Sequence, residues 1–149
     1  MPHNILESTR ITTLAAGTFI NAGAMGGTAG GVVSAADYEY HAVVFFGTFA
    51  NNGTVNVYAC ENSAGSSPRQ IASLPVGSGN GQGVGIDIKS DFLGTFSASG
   101  TNYAWLTAAG TVESGGTWRG ALAIISQWPR TAGTTTTANG LLAYGSALF

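Results

Sequence analysis

The sequence predicts an all-β fold, an antiparallel β-sandwich or barrel of about eight strands. Short runs of β-branched and aromatic residues recur along the 149 residues. Stretches rich in Gly, Ser, Thr and Asn separate these runs, and glycine alone supplies 23 positions. The same residues interrupt nearly every window long enough to form a helix. Many short strands joined by glycine-rich turns are typical of sandwiches and barrels.

Eight runs are the candidate strands, each bounded by turn residues. They are 11–20, 38–49, 54–62, 69–74, 84–90, 102–108, 118–127 and 141–148. The last run lies in the apolar stretch LLAYGSALF, which follows a low-complexity TTTT segment. It is either the last strand or an arm that docks on a neighbouring subunit. We favour the strand because terminal strands commonly hold a chain end in place.

The second and third runs carry the strongest turn signal between them. Run 38–49 is apolar on both faces, as expected of a central strand covered on both sides or of one whose outer face meets another subunit. Run 54–62 alternates instead, which indicates one core face and one wetter face. Between them, the stretch FANNGTV contains the pair Asn52 and Gly53, which predicts a tight two-residue hairpin turn.

Two of the later runs differ in the faces that they bury. In the stretch GIDIKSD, Ile86 and Ile88 point one way and Asp87 and Lys89 the other. This alternation predicts an inward apolar face and an outward solvated one. Run 118–127 is again apolar on both faces. It is therefore a second candidate for a central strand or for a subunit contact.

The length and composition predict one domain that assembles with other subunits. We expect a single β-sandwich domain over 1–149, with possible terminal arms at about 1–10 and 141–149. Cys60 is the only cysteine, which excludes an intramolecular disulfide. Charged residues make up only 8% of the chain, against roughly a quarter in an average soluble domain. A surface with so few charges resists self-association poorly.

Charge and hydropathy argue against nucleic acid and membranes as partners. The formal net charge is −2, and the five basic residues are scattered along the chain. Binding to a phosphate backbone needs several neighbouring cations. No unbroken apolar run has the length of a bilayer span, and the amino terminus has no basic segment followed by an apolar one.

Residues suited to catalysis or to metal binding are few. A nucleophile such as Cys60 would need His3 or His41 as its base. Pairing through the predicted hairpin would place Cys60 opposite Phe45, roughly 13 Å from His41. The seven carboxylates show no calcium-site spacing, and the glycine-rich stretches lack phosphate-loop motifs. We expect no enzyme activity, no cofactor and no metal, and interpret Cys60 as a buried thiol.

One aromatic cluster allows a second interpretation. Tyr103 and Trp105 share a strand face by alternation, and Trp118 begins a following run. Aromatic rings on one face of a sandwich can stack on sugar rings, which would make the chain a carbohydrate-binding module. The same pattern is more often a layer of the core, and we favour the core here.

The order of several motifs resembles a group of small virion proteins of tailed bacteriophages. The motifs are GTFANNGTVNVYACENSAG, RQIASLPVG, VGIDIKSDF and NYAWLTAAGTVESGGTWRGALAIISQWPR, together spanning about 38–130. The family pattern includes a GTV-type strand and a later Tyr/Trp-Arg pair, here Trp118 and Arg119. The loop after the GTV-type strand is often acidic in the family, whereas ENSAGSS carries one charge.

This resemblance implies a jelly-roll or related β-sandwich and a structural function without catalytic residues. We therefore expect a capsid decoration or cementing protein, made in the host cytoplasm and bound to the outer surface of the phage head. Its partners would be the major capsid protein and further copies of itself, as a homotrimer. We expect strands 38–49 and 118–127 and the terminal segments to make subunit contacts. The alternatives are a host-adhesion or carbohydrate-binding module using Tyr103, Trp105 and Trp118, and a tail-associated virion protein.

Overall fold

The computed structural model describes residues 9–19, 31–93, 103–113 and 116–129. In this part of the chain no helix is long and apolar enough to cross a membrane. The described residues form strands and one short helix. In chain order these are β1 Thr9–Phe19, β2 Val33–Ser34, β3 Tyr38–Phe49, β4 Gly53–Cys60, β5 Arg69–Val76, β6 Gly79–Lys89, α1 Ser90–Leu93, β7 Trp105–Val112 and β8 Trp118–Pro129.

The strands form two four-stranded sheets that pack as a sandwich. The first sheet has the order β1-β8-β3-β6 and the second has the order β2-β7-β4-β5. Neighbouring strands are antiparallel throughout the described residues. Only β4 and β5 are consecutive strands within one sheet, and every other connection crosses between the sheets. This interleaved order is that of a jelly roll. The predicted all-β, jelly-roll-like sandwich of about eight strands is confirmed.

The core lies between the sheets and is built from alternate residues of the strands. Inward side chains of β4 are almost completely buried, which confirms the predicted alternation: Val55, Val57 and Ala59. Trp118 at the start of β8 is also fully buried. Its ring packs against Phe45 and Phe49, with ring-centroid distances of 5.0 Å and 5.8 Å. Burial of these large rings in a close-packed interior contributes strongly to folding.

The predicted hairpin at FANNGTV is wrong, because β3 and β4 belong to different sheets. This segment carries the chain from the first sheet to the second, and Gly53 is already the first residue of β4. Glycine is required there for space, since a Cβ atom would overlap the Trp118 ring and the Thr111 carbonyl. Cys60 consequently lies opposite Trp105 of β7, and not opposite Phe45.

Other element boundaries also differ from the prediction. β6 begins at Gly79, because the glycine-rich stretch that resembles a loop is extended and pairs with β3. Gly81, with φ of 63°, lies where the register of this pairing shifts. The sequence did not predict β2 and α1, because elements of two and four residues leave no periodic pattern. The predicted strand 141–148 lies outside the described residues.

Candidate interaction surface

The outward side of the first sheet is a nearly uncharged surface, which we call the apolar face. The cross-strand register aligns its residues in rows that run through β1, β8, β3 and β6. The three central rows are Ile11, Ile125, Ala42 and Asp87; Thr13, Ala123, Val44 and Gly85; and Ala16, Ala121, Phe46 and Gly83. Apart from Phe46, and from Asp87 on the edge strand β6, small and aliphatic side chains therefore cover the middle of the sheet.

Strand β3 gives the apolar face its largest exposed rings. Phe46 is 58% exposed and Tyr40 is 42% exposed. On the opposite side of the same strand, Val43 and Phe45 are buried in the core. β3 is therefore apolar on both faces, as the sequence predicts. A large exposed phenyl ring at the centre of a sheet is an unfavourable arrangement in water and often marks an interaction site.

Small neighbours keep the apolar face flat around Phe46. Gly83 of β6 lies opposite Phe46, and Gly85 lies opposite Val44. A Cβ atom built on Gly83 would lie 3.0 Å from Cδ2 of Phe46, so the ring leans over this glycine. On the other side, Ala121 of β8 faces Phe46. A flat apolar surface suits packing against another protein better than enclosure of a small ligand, which needs a concave site.

Charged groups lie at the margins of the apolar face in the described residues. Asp87 and Lys89 occupy one end of β6, and Arg119 occupies the opposite end of β8. The outward side of the second sheet is polar by contrast. There the Ser73 hydroxyl donates a 3.0 Å hydrogen bond to Oδ1 of Asn56. At these positions the second sheet presents polar side chains bonded to each other, whereas the middle of the first sheet presents small and apolar ones.

The apolar face has the size of a functional surface patch. Three strand spacings and five rows of side chains give about 14 Å by 27 Å, or roughly 400 Å², when the two terminal rows with Lys89 and Arg119 are included. The largest apolar patch on a typical monomer covers about 300–600 Å² and is often functional. A standard protein interface buries about 800 Å² on each partner. One apolar face therefore supplies roughly half of such an interface.

The strands that the sequence predicts for subunit contacts overlap this surface, and the contacts themselves stay a prediction. The predicted contact strands, 38–49 and 118–127, are adjacent as β3 and β8 and form the centre of the apolar face. The contributions of β1 and β6 were missed, because Thr, Ala and Gly give only a weak signal of a contact surface. Of the predicted terminal arms, residues 1–8 and 141–149 lie outside the described residues, so their contacts stay a prediction.

His41 and Cys60 occupy buried positions inside the sandwich. His41 is 1% exposed. Its Nε2–H donates to the Ala35 carbonyl at 3.2 Å, and Nδ1 lies 2.8 Å from the Ser126 hydroxyl oxygen. Nε2 also lies 2.9 Å from the Ser90 hydroxyl oxygen. These contacts join β3, β8 and α1, and no substrate can reach the enclosed imidazole without local opening.

Cys60 is fully buried, as the sequence interpretation favours. Burial raises the pKa of its thiol above the ordinary value, because the thiolate would lose its hydration. A thiol held protonated in this way is a poor nucleophile. Among the described residues, no group of three or more His, Cys, Asp or Glu side chains is placed to hold a metal ion.

The three aromatic residues of the glycan interpretation do not share a surface. Trp118 lies in the first sheet and is completely buried between the sheets, so it cannot stack on a sugar ring. Trp105 lies in the second sheet and is half-buried, and Tyr103 packs against the core. The prediction that Trp118 belongs to this surface cluster is wrong, because its side chain lies in the core. Its alternation places it inward with Phe49, the residue opposite it in β3.

Comparisons with known proteins add no functional assignment. No protein-family model matches the chain, and no curated protein matches it. Among solved structures, the chain is similar to the CBM22-1 and GH10 modules of Clostridium thermocellum endo-1,4-beta-D-xylanase 10B, complexed with xylohexaose. The identity is 15%, the TM-score is 0.37, and the match covers 83% of this chain and 27% of that chain. The chain thus spans about a quarter of that structure, and so remote a likeness carries no functional argument.

Proposed function

We propose that this chain is a non-enzymatic virion structural protein, a capsid decoration protein that binds the outer surface of a phage head and stabilises the shell. The observation that carries the proposal is the apolar face with the exposed Phe46 at its centre. Removing such a surface from water is favourable. A protein whose function is to bridge other subunits needs this kind of surface and needs no active site.

The resemblance to virion proteins of tailed phages suggests the class of partner. A major capsid protein offers many identical sites, to which many copies of a small domain can bind. The jelly-roll fold is compatible with this function by analogy, because viral coats use it repeatedly. The charged fraction of only 8% also fits a protein that buries much of its surface against neighbours.

Co-sedimentation with empty shells of the virus that encodes the chain tests the proposal. We expect wild-type protein to sediment with the shells. Phe46→Asp should lose binding at least tenfold, because a carboxylate would be buried against apolar surface without a partner. The matched control Thr111→Asp adds the same charge on the exposed outer side of the second sheet and should bind as wild type does. Wild-type protein that stays in the supernatant would contradict the proposal.

A titration with polysaccharides separates this proposal from the carbohydrate-binding alternative. Trp105 is half-buried on the second sheet, so a sugar stacked there should change the tryptophan emission. For a decoration protein, the tryptophan emission should stay unchanged across a broad panel of soluble glycans. A saturable change that Trp105→Ala abolishes would favour the glycan-binding module and count against capsid decoration.

A further inference from the structure

Strand β6 is the least protected of the four sheet edges in the described residues. The edge strand β1 has a register shift between Thr13 and Ala15, and β2 has only two residues. The edge strand β5 contains Pro75 and a register shift against β4. In contrast, 82–89 of β6 pairs with β3 in unbroken register and contains no proline. Soluble proteins normally blunt such an edge with bulges, prolines, short strands or charged side chains. Of these devices, 82–89 has only the charges of Asp87 and Lys89.

We propose that β6 pairs with β6 of a second copy of this chain across a two-fold axis, which gives a dimer in solution in place of the homotrimer expected from the sequence. The pairing is antiparallel and joins the two first sheets into one continuous sheet of eight strands. Among the described residues no strand pairs with the outer edge of β6, and the backbone N–H and C=O groups there then bind their counterparts in the second copy. The partner is a second copy because the residue pattern of β6 is complementary to itself.

The register of this pairing follows from the faces of the strand. Residues directly opposite each other in an antiparallel pair point to the same side of the sheet. A register centred on Ile86 places Ile86 opposite Ile86 of the second copy and Val84 opposite Ile88. On the outer side, Asp87 lies opposite Gly85 and Lys89 opposite Gly83. The inward positions from 84 to 88 are then all apolar pairs, and Gln82 lies opposite Ser90.

The neighbouring registers are less favourable. A register centred on Asp87 would place two carboxylates directly opposite each other, which is destabilising. A register centred on Gly85 would place Ile88 opposite Gln82 and Lys89 opposite Gly81, where the pairing of β6 with β3 shifts. The centre at Ile86 therefore gives the best match of charge and hydrophobicity.

An apolar groove beside β6 provides space for the side chains of a second copy. The groove has a volume of about 430 Å³. Its walls are Ile71 and Ala72 of β5, Ile86 and Ile88 of β6, and Phe92 of α1, with Asp87 and Lys89 also lining it. Phe92 is 49% exposed. In the proposed register, the inward side chains of the second β6 strand lie against this groove, so pairing removes its apolar walls from water.

The pairing also doubles the apolar face. Facing residues of the two β6 strands lie on the same side of the joined sheet, so the two-fold axis runs perpendicular to that sheet. The apolar faces of both copies therefore point in the same direction. Their combined area is roughly 800 Å², the contribution of one partner to a standard interface. The dimer thus offers a surface of that size, in which two apolar areas lie on either side of a central strip that carries Asp87 and Lys89 of both copies. This consequence rests on the proposed function, whereas the pairing itself is measurable without a capsid.

Light scattering coupled to size exclusion tests the pairing on the purified full-length chain. We expect a mass of twice the chain mass. Ile86→Lys should give the mass of a monomer, because two ammonium groups would face each other across the axis. The control Thr13→Lys adds the same charge at the opposite edge of the first sheet and should stay dimeric, and circular dichroism should show both variants folded. A wild-type monomer, a trimer, or a dimer that Ile86→Lys retains would overturn the proposal.

Engineered cysteines test the register independently of whether Ile86→Lys folds. Facing Cα atoms in an antiparallel pair lie about 4.5–5.5 Å apart, within the range that a disulfide spans. Under mild oxidation, Ile86→Cys should form a disulfide-linked dimer about tenfold faster than Val84→Cys. In the proposed register, position 84 lies roughly 13 Å from its own counterpart. The native Cys60 is fully buried and adds little background. Equal rates for the two variants would overturn the register.

Failure of this proposal is distinguishable from failure of capsid binding. Dimerisation is measured in solution without shells, and shell binding is measured with Phe46 variants whose β6 edge is unchanged. A monomer that co-sediments with shells would retain the proposed function and overturn the pairing. A dimer that ignores the shells would retain the pairing and contradict the decoration function.

Discussion

The indole Nε1–H of Trp118 donates a 2.8 Å hydrogen bond to the backbone carbonyl of Asn51. This contact links the first residue of β8 to the segment that carries the chain from β3 to β4. The ring of Trp118 packs at the same place against Phe45 and Phe49. A single side chain therefore fixes one end of the sandwich, where the chain leaves the first sheet for the second.

Substitution of Trp118 should destabilise the fold more than substitution of another tryptophan. Trp118→Phe removes the N–H donor, leaves the Asn51 carbonyl without it and creates space in the core. We expect a loss of about 1–3 kcal/mol in the free energy of unfolding. The control Trp105→Phe, at a half-buried position, should cost clearly less. Urea denaturation monitored by circular dichroism measures both, and equal losses would contradict this role of Trp118.

Gly47 and Gly120 should tolerate no side chain, because their strands approach each other too closely. They lie opposite each other in β3 and β8, and a Cβ atom on either would overlap the backbone of the other strand. Gly47→Ala and Gly120→Ala should each lower the free energy of unfolding by about 1–3 kcal/mol.

Gly77→Ala provides a matched control for the two glycine variants. The nearest atom to a Cβ atom at Gly77 would be 4.0 Å away, and the residue is exposed. Its effect on stability should stay within about 0.5 kcal/mol. Thermal unfolding of the three variants, measured under the same conditions, compares their losses of stability. A loss at Gly77 as large as that at Gly47 would show that close approach of the strands does not cause the effect, since the entropy of the unfolded chain alone favours alanine over glycine.

Alternation along the strands was sufficient to predict most of the fold. The pattern of Val55, Val57 and Ala59 correctly assigned the inner face of β4, and the two-sided apolar runs correctly marked β3 and β8 as central strands. The Asn52-Gly53 pair led to the wrong prediction of a hairpin, because it reports only the local preference for a turn. Whether β4 returns beside β3 or crosses to the other sheet depends on contacts with Trp118, which is 67 residues away from Asn51.

The apolar face could be predicted only in part, for a similar reason. Alternation shows that two residues share a face but does not show which face points inward. Trp118 was therefore grouped with Trp105, although one lies in the core and the other in the second sheet. The exposed Phe46 lies in a run that the sequence marked as two-sided. The glycines that flatten the sheet beside it give no sequence signal of a surface.

Arg10 should stabilise the sandwich because it bridges the two sheets at the β1 edge. Its Nη2 donates a 2.9 Å hydrogen bond to the Ser34 carbonyl, and its guanidinium lies 4.6 Å from the centroid of the Tyr38 ring. Nη1 lies 3.6 Å from an Asp37 carboxylate oxygen. Arg10→Met should cost about 1–2 kcal/mol of unfolding free energy through the lost hydrogen bond and stacking.

A second cation provides the control for Arg10. Lys89 and Asp91 form an exposed ion pair with a nitrogen-to-oxygen distance of 3.9 Å, and exposed pairs contribute little to stability. Lys89→Met removes the same formal charge and should change the urea midpoint only slightly. A shift for Lys89→Met equal to that for Arg10→Met would show that net charge decides the effect, and not the bridge between the sheets.

Burial of Cys60 should make the stability of the protein fall at alkaline pH. The thiol of the unfolded chain ionises near the ordinary value of 9.0, whereas burial raises the pKa of Cys60 in the folded protein. Between these two values the unfolded state has released a proton that the folded state retains, so the free energy of unfolding falls as pH rises. The contribution is complete below the ordinary thiol pKa and is lost as the pH approaches and passes the raised pKa.

Cys60→Ala isolates this contribution from the other groups that titrate at alkaline pH. Tyrosines and lysines ionise in both proteins, so their effects cancel in the comparison. From about pH 7 to about pH 10, the free energy of unfolding of the wild type should fall more steeply than that of Cys60→Ala. The variant starts from lower stability because it lacks a buried sulfur atom, but the difference in slope reports the thiol alone. Parallel pH profiles for the two proteins would show that the thiol of Cys60 ionises in the folded state as readily as in the unfolded one.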